Sequence, residues 1–365
     1  MLASVLPLLV SGIVAWKQPY KPVSNPEDVR AAMVQHQETG NEVFLRGTVL
    51  TIVTKSAAPK VQFSSPIQAK LSKVEGTDYW AAQLEGKNWN QAFFSYSIQD
   101  GSDRSKIKTR NWFGPQAPRF PRQVSSVKGT LETFELEMGT SGMKRKVLVY
   151  LPPNAPKDIP VVYLTDGHSA RSYAPAVEAA IQDGQIRPIA MVGVYSGTYQ
   201  GKLEEGYDVE LDLRATEYLH VLGKPDFERH LKFFSGQVPA WAEQKFGVSN
   251  KREDRVLHGF SNGGAFAVVA SILAPEVFGY VLPYSVAATE SPRNLQKLFG
   301  AQRLPDYYFA SGTLEPFIEN SYRMAKLFKD NRAKVVQRNY FEAGHDFLMW
   351  NLAFVNHLKQ IFPKE

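Results

Sequence analysis

Apolar and polar positions follow two rhythms along this chain. In the first third, short stretches alternate at a period of two between clusters of turn residues, the signature of half-buried strands. The pattern predicts strands at Val43–Leu50, Lys60–Ser64, Tyr79–Leu84 and Gln91–Ile98, after a short polar helix over Asn25–Gln37. Strands at this spacing point to a small β-sandwich over residues 25–112, with its aromatic residues packing core and edges. Trp112–Arg122 carries Pro115, Pro118 and Pro121 and reads as an extended linker, placed at 113–123.

Beyond Val124 the rhythm changes. Leu131–Leu136 and Lys146–Leu151 alternate, whereas Pro160–Thr165 and Pro188–Val194 are continuous apolar runs of the kind that fill a doubly covered sheet. Helical spacing appears over Ala174–Asp183, Asp226–Phe246 and Asn320–Asn331, with further strands at Leu304–Ala310 and Lys334–Tyr340. Strands alternating with helices predict an α/β domain over 124–365, with a mainly parallel sheet and helices on both faces. Catalytic or ligand-binding groups then belong at the carboxyl ends of the strands.

Composition sharpens this picture at a few points. At 365 residues and 44% hydrophobic, the chain has material for a sizeable core and is not a disordered protein. It has no cysteine, which excludes disulfides, thiolate zinc sites and a thiol nucleophile. The net charge of +6 comes without a lysine/arginine block or a nucleic-acid motif, so no nucleic-acid partner is expected. Met1–Trp16 is apolar and uncharged, and too short for a stable membrane span. It reads as the apolar part of a signal segment, although no basic residue precedes it. The expected location is therefore periplasmic or secreted, or cytoplasmic if the segment is not a signal.

The feature richest in chemistry is Gly259-Phe260-Ser261-Asn262-Gly263, a G-x-S-x-G pattern. A strand-like stretch, Arg255–His258, precedes it and a small, apolar, helix-like stretch, Gly264–Leu273, follows. This is the setting in which a serine stands on a sharp strand-to-helix turn, its hydroxyl clear of the sheet. Such a hydroxyl needs a base to take its proton and a carboxylate to hold the base, in the chain order serine, acid, histidine. Downstream lie only His345 and His357. His345 follows Gly344 just past a strand, where a base belongs; His357 sits in an amphipathic terminal stretch and reads as a surface helix residue. Glu315, in the loop after Leu304–Ala310, is the expected acid. Asp346 is the alternative, or else a cap for a helix starting near Phe347. The oxyanion donors are expected at the amides of Asn262 and of His168 or Gly167, in the turn after Leu164-Thr165. The His168 side chain reads either as an exposed polar group or as a substrate contact.

From Lys146 onward the chain resembles the putative esterase family of α/β-hydrolases, which includes enterochelin esterases and feruloyl esterase domains. The resemblance rests on Arg145–Pro153, Tyr163–Gly167, Arg214-Ala215-Thr216-Glu217-Tyr218, the Ser261 elbow, Pro275–Gly279, Gly312–Glu315 and Gly344-His345-Asp346. It implies an α/β-hydrolase fold and ester hydrolysis through an acyl-enzyme, on a small-molecule ester, with no metal or organic cofactor. Arg214 and Glu217, which match the family's R-x-x-E-Y stretch, read as an ion pair that holds their loop, the alternative being a substrate contact. The first hundred or so residues resemble an early-set β-sandwich, best at Gly76–Trp80. Val286–Glu290 departs from the serine- and tryptophan-rich run of many relatives, which leaves the substrate open between siderophore-like and feruloyl or acetyl saccharide esters. An acyltransferase with the same residues, or a non-catalytic binding protein of the same fold, are the other readings; oligomeric state is not legible.

Overall fold

The computed structural model describes residues 17–100, 107–202, 208–221, 224–287, 290–301 and 303–364, so the expected signal segment Met1–Trp16 lies outside the described residues. The N-terminal part is an antiparallel β domain. One sheet joins Tyr20–Pro22, Tyr79–Gly86, Val49–Lys55 and Val43–Arg46, with Ser72–Lys73 beside Tyr79–Gly86. The other joins Val61–Ser64, Phe93–Asp100 and Thr109–Phe113. Between them Leu50, Ile52, Leu84, Trp89 and Phe94 form a core. The single strand expected at Val43–Leu50 is a hairpin instead. Gly47 takes φ 59°, and Arg46 pairs directly with Val49 across the turn. A glycine in the left-handed region is what a two-residue hairpin turn requires.

The proline-rich segment that follows is packed rather than loose. Phe120 sits edge-on to Phe93 and Phe113, with ring centroids 4.9 and 5.1 Å away, and Arg122 pairs with Asp183 at 2.8 Å.

The C-terminal domain is built on eight strands: β1 (Thr130–Glu137), β2 (Lys144–Leu151), β3 (Val161–Leu164), β4 (Ala190–Val194), β5 (Arg255–Phe260), β6 (Tyr280–Tyr284), β7 (Asp306–Gly312) and β8 (Lys334–Phe341). Their order across the sheet is β8-β7-β6-β5-β3-β4-β2-β1. Only the pairings of β2 with β1 and with β4 are antiparallel. The order reverses about β3, β4 and β5, so β3 and β5 lie side by side with crossovers leaving in opposite directions. That places the loops after these strands around one crevice. This is the α/β-hydrolase fold.

Alternation assigns each strand residue to a face. In β3, Val161 and Tyr163 join one core and Val162 and Leu164 the other. Helices α1 (Ser169–Gln182) and α4 (Phe347–Ile361) cover the second core. Helices α2 (Asn262–Leu273) and α3 (Ile318–Asp330) cover the first, with the long helix expected at Asp226–Phe246. That helix runs from Lys224 to Phe246 with a π turn at Phe233–Gln237.

Strand β6 has no counterpart in the sequence reading. Pro283 lies inside it, and a proline argues against a central strand because it donates no ladder hydrogen bond. The sheet accommodates it on the β7 side, where the register pairs Tyr280, Val281 and Tyr284 but neither Leu282 nor Pro283.

Candidate active site

Ser261 stands between β5 and α2 at φ 56°, ψ −124°, a region costing a non-glycine residue on the order of 1–3 kcal/mol. Three backbone hydrogen bonds hold it there. Its N–H donates to Tyr284 O at 3.0 Å, and its carbonyl accepts from Ala265 and Ala287, each at 3.1 Å. The glycines of the motif are steric necessities. A Cβ on Gly259 would lie 2.2 Å from Gly263 O, and one on Gly263 would lie 2.1 Å from Thr165 Oγ1. A side chain at Gly259 would collide with the first turn of α2, and one at Gly263 with the residue that follows β3.

Glu315 and His345 come from the ends of β7 and β8 and meet. His345 Nδ1 lies 2.6 Å from Glu315 Oε2. A carboxylate only accepts, so Nδ1 carries the hydrogen and Nε2 keeps a free lone pair. Glu315 is 1% exposed, and its second oxygen, Oε1, accepts from Ser285 Oγ (2.6 Å), Ser311 Oγ (2.7 Å) and Gly312 N (2.9 Å). Burial by itself would raise this carboxyl; His345 and the two serine hydroxyls outweigh it and hold the pKa below the usual value. Ser285 holds φ 45° at the end of β6.

Trp350, on the first turn of α4, ties this pair to the elbow, and sequence reasoning missed it. Its ring stacks on Phe260, the residue before Ser261, at 4.0 Å and 13°, and meets the His345 ring edge-on at 4.8 Å. Its Nε1 donates to Ser285 Oγ at 2.8 Å. Such a stack contributes about 1 kcal/mol beyond area burial. Its position five residues after His345, one turn into a helix, was the available signal. Phe317 closes the far side of the imidazole at 4.8 Å.

The turn after β3 carries Gly167 and His168, just before α1, where amides have no intrahelical acceptor; Asn262, first in α2, is in the same situation. A Cβ on Gly167 would lie 2.1 Å from the Tyr195 ring, so only glycine fits. The His168 side chain is exposed.

The expected Arg214–Glu217 pair does not form. Arg214 instead donates to Asp166, while Glu217 pairs with Arg145 from β2 and accepts from Gly197 N at 2.8 Å. The two residues lie three apart at the start of a short helix, Arg214–Tyr218, and each finds a nearer partner on another segment. Tyr218 completes the set by accepting from Asp166 N at 2.9 Å.

Asp346 does not reach His345 Nδ1. Its carboxylate accepts from Leu348 N at 2.8 Å, capping α4, and from Ser95 N and Oγ at 2.5 and 3.1 Å. His357 is not on the surface: it is fully buried. Its Nε2 lies 3.1 Å from Asn339 Oδ1, an acceptor, so Nδ1 accepts from Tyr284 Oη at 2.5 Å. Amphipathic spacing placed it outside because β6 and β8, which cover it, are remote in sequence.

An open pocket of about 460 Å³ adjoins the elbow, lined by Asp166, His168, Tyr195, Asp212, Arg214 and Phe260 among others. Among the described residues no cluster of three or more histidine or carboxylate side chains could hold a metal ion, and no helix is long and apolar enough to cross a membrane.

Solved structures share this fold. The enterobactin esterase from Shigella flexneri, determined in the presence of enterobactin, is similar over 94% of this chain and 96% of its own, at 15% identity and TM-score 0.64. The feruloyl esterase module from Clostridium thermocellum, complexed with sinapinate, covers 67% of this chain and 94% of its own, at 15% identity and TM-score 0.50. The BES protein from Bacillus cereus covers 67% and 99%, at 14% identity and TM-score 0.51. The family model described as putative esterase matches residues 139–361, a span that holds the elbow and the loops of Glu315 and His345, and the chain belongs to that family.

Proposed function

We propose that this protein is a serine carboxylic-ester hydrolase working through an acyl-enzyme. The observation that carries this reading is the Glu315–His345 bond at the strand ends beside the Ser261 elbow. Ser261 Oγ attacks the ester carbonyl while His345 Nε2 takes its proton. The oxyanion is held by the amides of Asn262 and of Gly167 or His168, each such donor supplying about 3 kcal/mol to the transition state. Glu315 steadies the imidazolium. The bond to the alkoxide then breaks; His345 protonates it and it leaves as the alcohol, while the acyl group stays on Ser261 as an ester. Water attacks that ester, with His345 again taking the proton, and the acid leaves as Ser261 regains its hydrogen.

The polar side chains at the pocket, Asp212, Arg214 and Tyr195 among them, support a substrate that carries hydroxyls. A siderophore-like ester or a feruloyl or acetyl saccharide ester meets that description. The enterobactin and sinapinate named with the similar structures fall in the same chemical range. The apolar Met1–Trp16 segment supports export to the periplasm or beyond.

A panel of p-nitrophenyl, feruloyl and catecholate esters tests this directly. Turnover by the native chain, its loss in Ser261→Ala, and fluorophosphonate labelling of Ser261 are expected. No turnover above the Ser261→Ala background would sink the reading.

A further inference from the structure

The loop that carries His345 is moulded on the N-terminal domain, residue by residue. Glu342 O accepts from Phe93 N at 3.0 Å, and its carboxylate accepts from Asn88 Nδ2 at 2.8 Å. Ala343 forms a parallel bridge with Phe93. Gly344 lies so near Pro66 that a Cβ there would be 2.1 Å from the proline Cβ. Asp346 is held by the amide and hydroxyl of Ser95. His345 is flanked on both sides by residues clamped to the N-terminal domain. The acid loop is gripped too: Leu314 is buried in the N-terminal core, and Thr313 Oγ1 donates to Glu342 at 2.7 Å.

The bond from Ser95 to Asp346 stands out in this set. A helix cap needs a single acceptor, and Leu348 N supplies its donor. The rest of the carboxylate's capacity is spent on the other domain, one residue from the imidazole. Asp346 is 7% exposed, so an unmet carboxylate oxygen there would be costly.

We propose that the N-terminal domain positions the catalytic imidazole, with Ser95 and Asp346 as the positioning residues. This rests on the Ser261–Glu315–His345 reading. The pair never touches substrate; it fixes the height and tilt of the His345 loop. A misplacement near 1 Å costs on the order of 100-fold in rate.

Asp346→Ser separates this role from the helix cap, because serine caps as well as aspartate yet lacks Oδ2, the oxygen that accepts from Ser95 N. On a p-nitrophenyl ester, Asp346→Ser in the full chain is expected to lose kcat by roughly 10-fold or more with KM within about twofold. Ser95→Ala should lose less in the same direction, and the double variant should be no slower than Asp346→Ser alone. Asp346→Asn, which keeps one long acceptor, should recover part of kcat. A native kcat in Asp346→Ser, a loss confined to KM, or independent multiplication of the two effects overturns the proposal. If Asp346→Ser does not fold, a native kcat in Ser95→Ala overturns it. These outcomes count when turnover depends on Ser261; if it does not, the underlying reading fails and the proposal with it.

Discussion

Arg214 reaches Asp166 with two parallel hydrogen bonds, Nε to Oδ1 at 2.5 Å and Nη2 to Oδ2 at 2.8 Å. Asp166 is 5% exposed and sits at φ 52°, directly before Gly167 and His168. The pair therefore fixes a strained turn whose amides are the proposed oxyanion donors. A lysine restores the charge but not the two-pronged geometry. Arg214→Lys is expected to lower kcat by roughly 10-fold and Arg214→Ala by more, with kcat/KM falling in step. Steady-state kinetics on a p-nitrophenyl ester would settle it, and a native kcat in Arg214→Lys would detach this pair from the oxyanion turn.

The two acidic residues near His345 make opposite predictions. Glu315 holds Nδ1, whereas Asp346 holds Ser95 and the start of α4. Replacing Glu315 by Gln puts an amide where His345, Ser285, Ser311 and Gly312 all donate, so one donor is left facing another. Loss of the orienting carboxylate costs on the order of 10⁴ in kcat in serine hydrolases. Glu315→Gln should approach that loss, and Asp346→Asn should fall far short of it. The reverse ranking would make Asp346 the acid.

The candidate site could be proposed from the sequence because its parts are local. A G-x-S-x-G turn, an acid after one strand and a Gly-His after the next each announce themselves within about ten residues, and chain order links them. Partners set by distant packing left no such trace. Glu217 meets Arg145 across 72 positions, His357 meets Tyr284 across 73, and Ser95 meets Asp346 across 251. No periodicity relates such residues. Strand β6 escaped for a different reason: Pro283 breaks the local rule, and only the neighbouring strands show where the missing hydrogen bond is tolerated.

Acid should unfold this protein earlier than its carboxylates alone would require. His230, His258 and His357 are fully buried, and burial pushes each from 6.5 down to about 3. His258 donates from Nδ1 to Leu282 O at 2.9 Å and accepts from Tyr173 Oη, so the fold uses it neutral. In the unfolded chain these rings take up protons once the pH drops below 6.5. The unfolded state then binds more protons than the native one, and stability falls as pH falls from 6.5 toward 3. Glu315, with its lowered pKa, pulls the same way below the usual carboxylate range. Urea midpoints measured between pH 7 and 4 should decline, and His357→Gln should flatten the slope. A midpoint independent of pH over that range would contradict the buried neutral state.

The glycines of the elbow differ in what stands against them, and so in whether a second change can relieve an added methyl. At Gly259 the obstacle is backbone, Gly263 O at 2.2 Å. At Gly263 it is a side-chain hydroxyl, Thr165 Oγ1 at 2.1 Å, with Thr165 Cβ next at 3.0 Å. Thr165 Oγ1 is buried without a hydrogen-bond partner, so removing it breaks no bond. Overpacking of this kind costs about 1–3 kcal/mol, and more where backbone must move. Gly263→Ala should therefore be destabilised and slowed, and Thr165→Ala should restore part of both losses. Gly259→Ala should gain less from the same second substitution, because Thr165 Oγ1 at 2.6 Å is only its third-nearest obstacle and Gly263 O remains. Thermal midpoints and kcat of the four variants would test the difference, and equal rescue at both positions would show that the helix shifts as a whole instead of clashing at one atom.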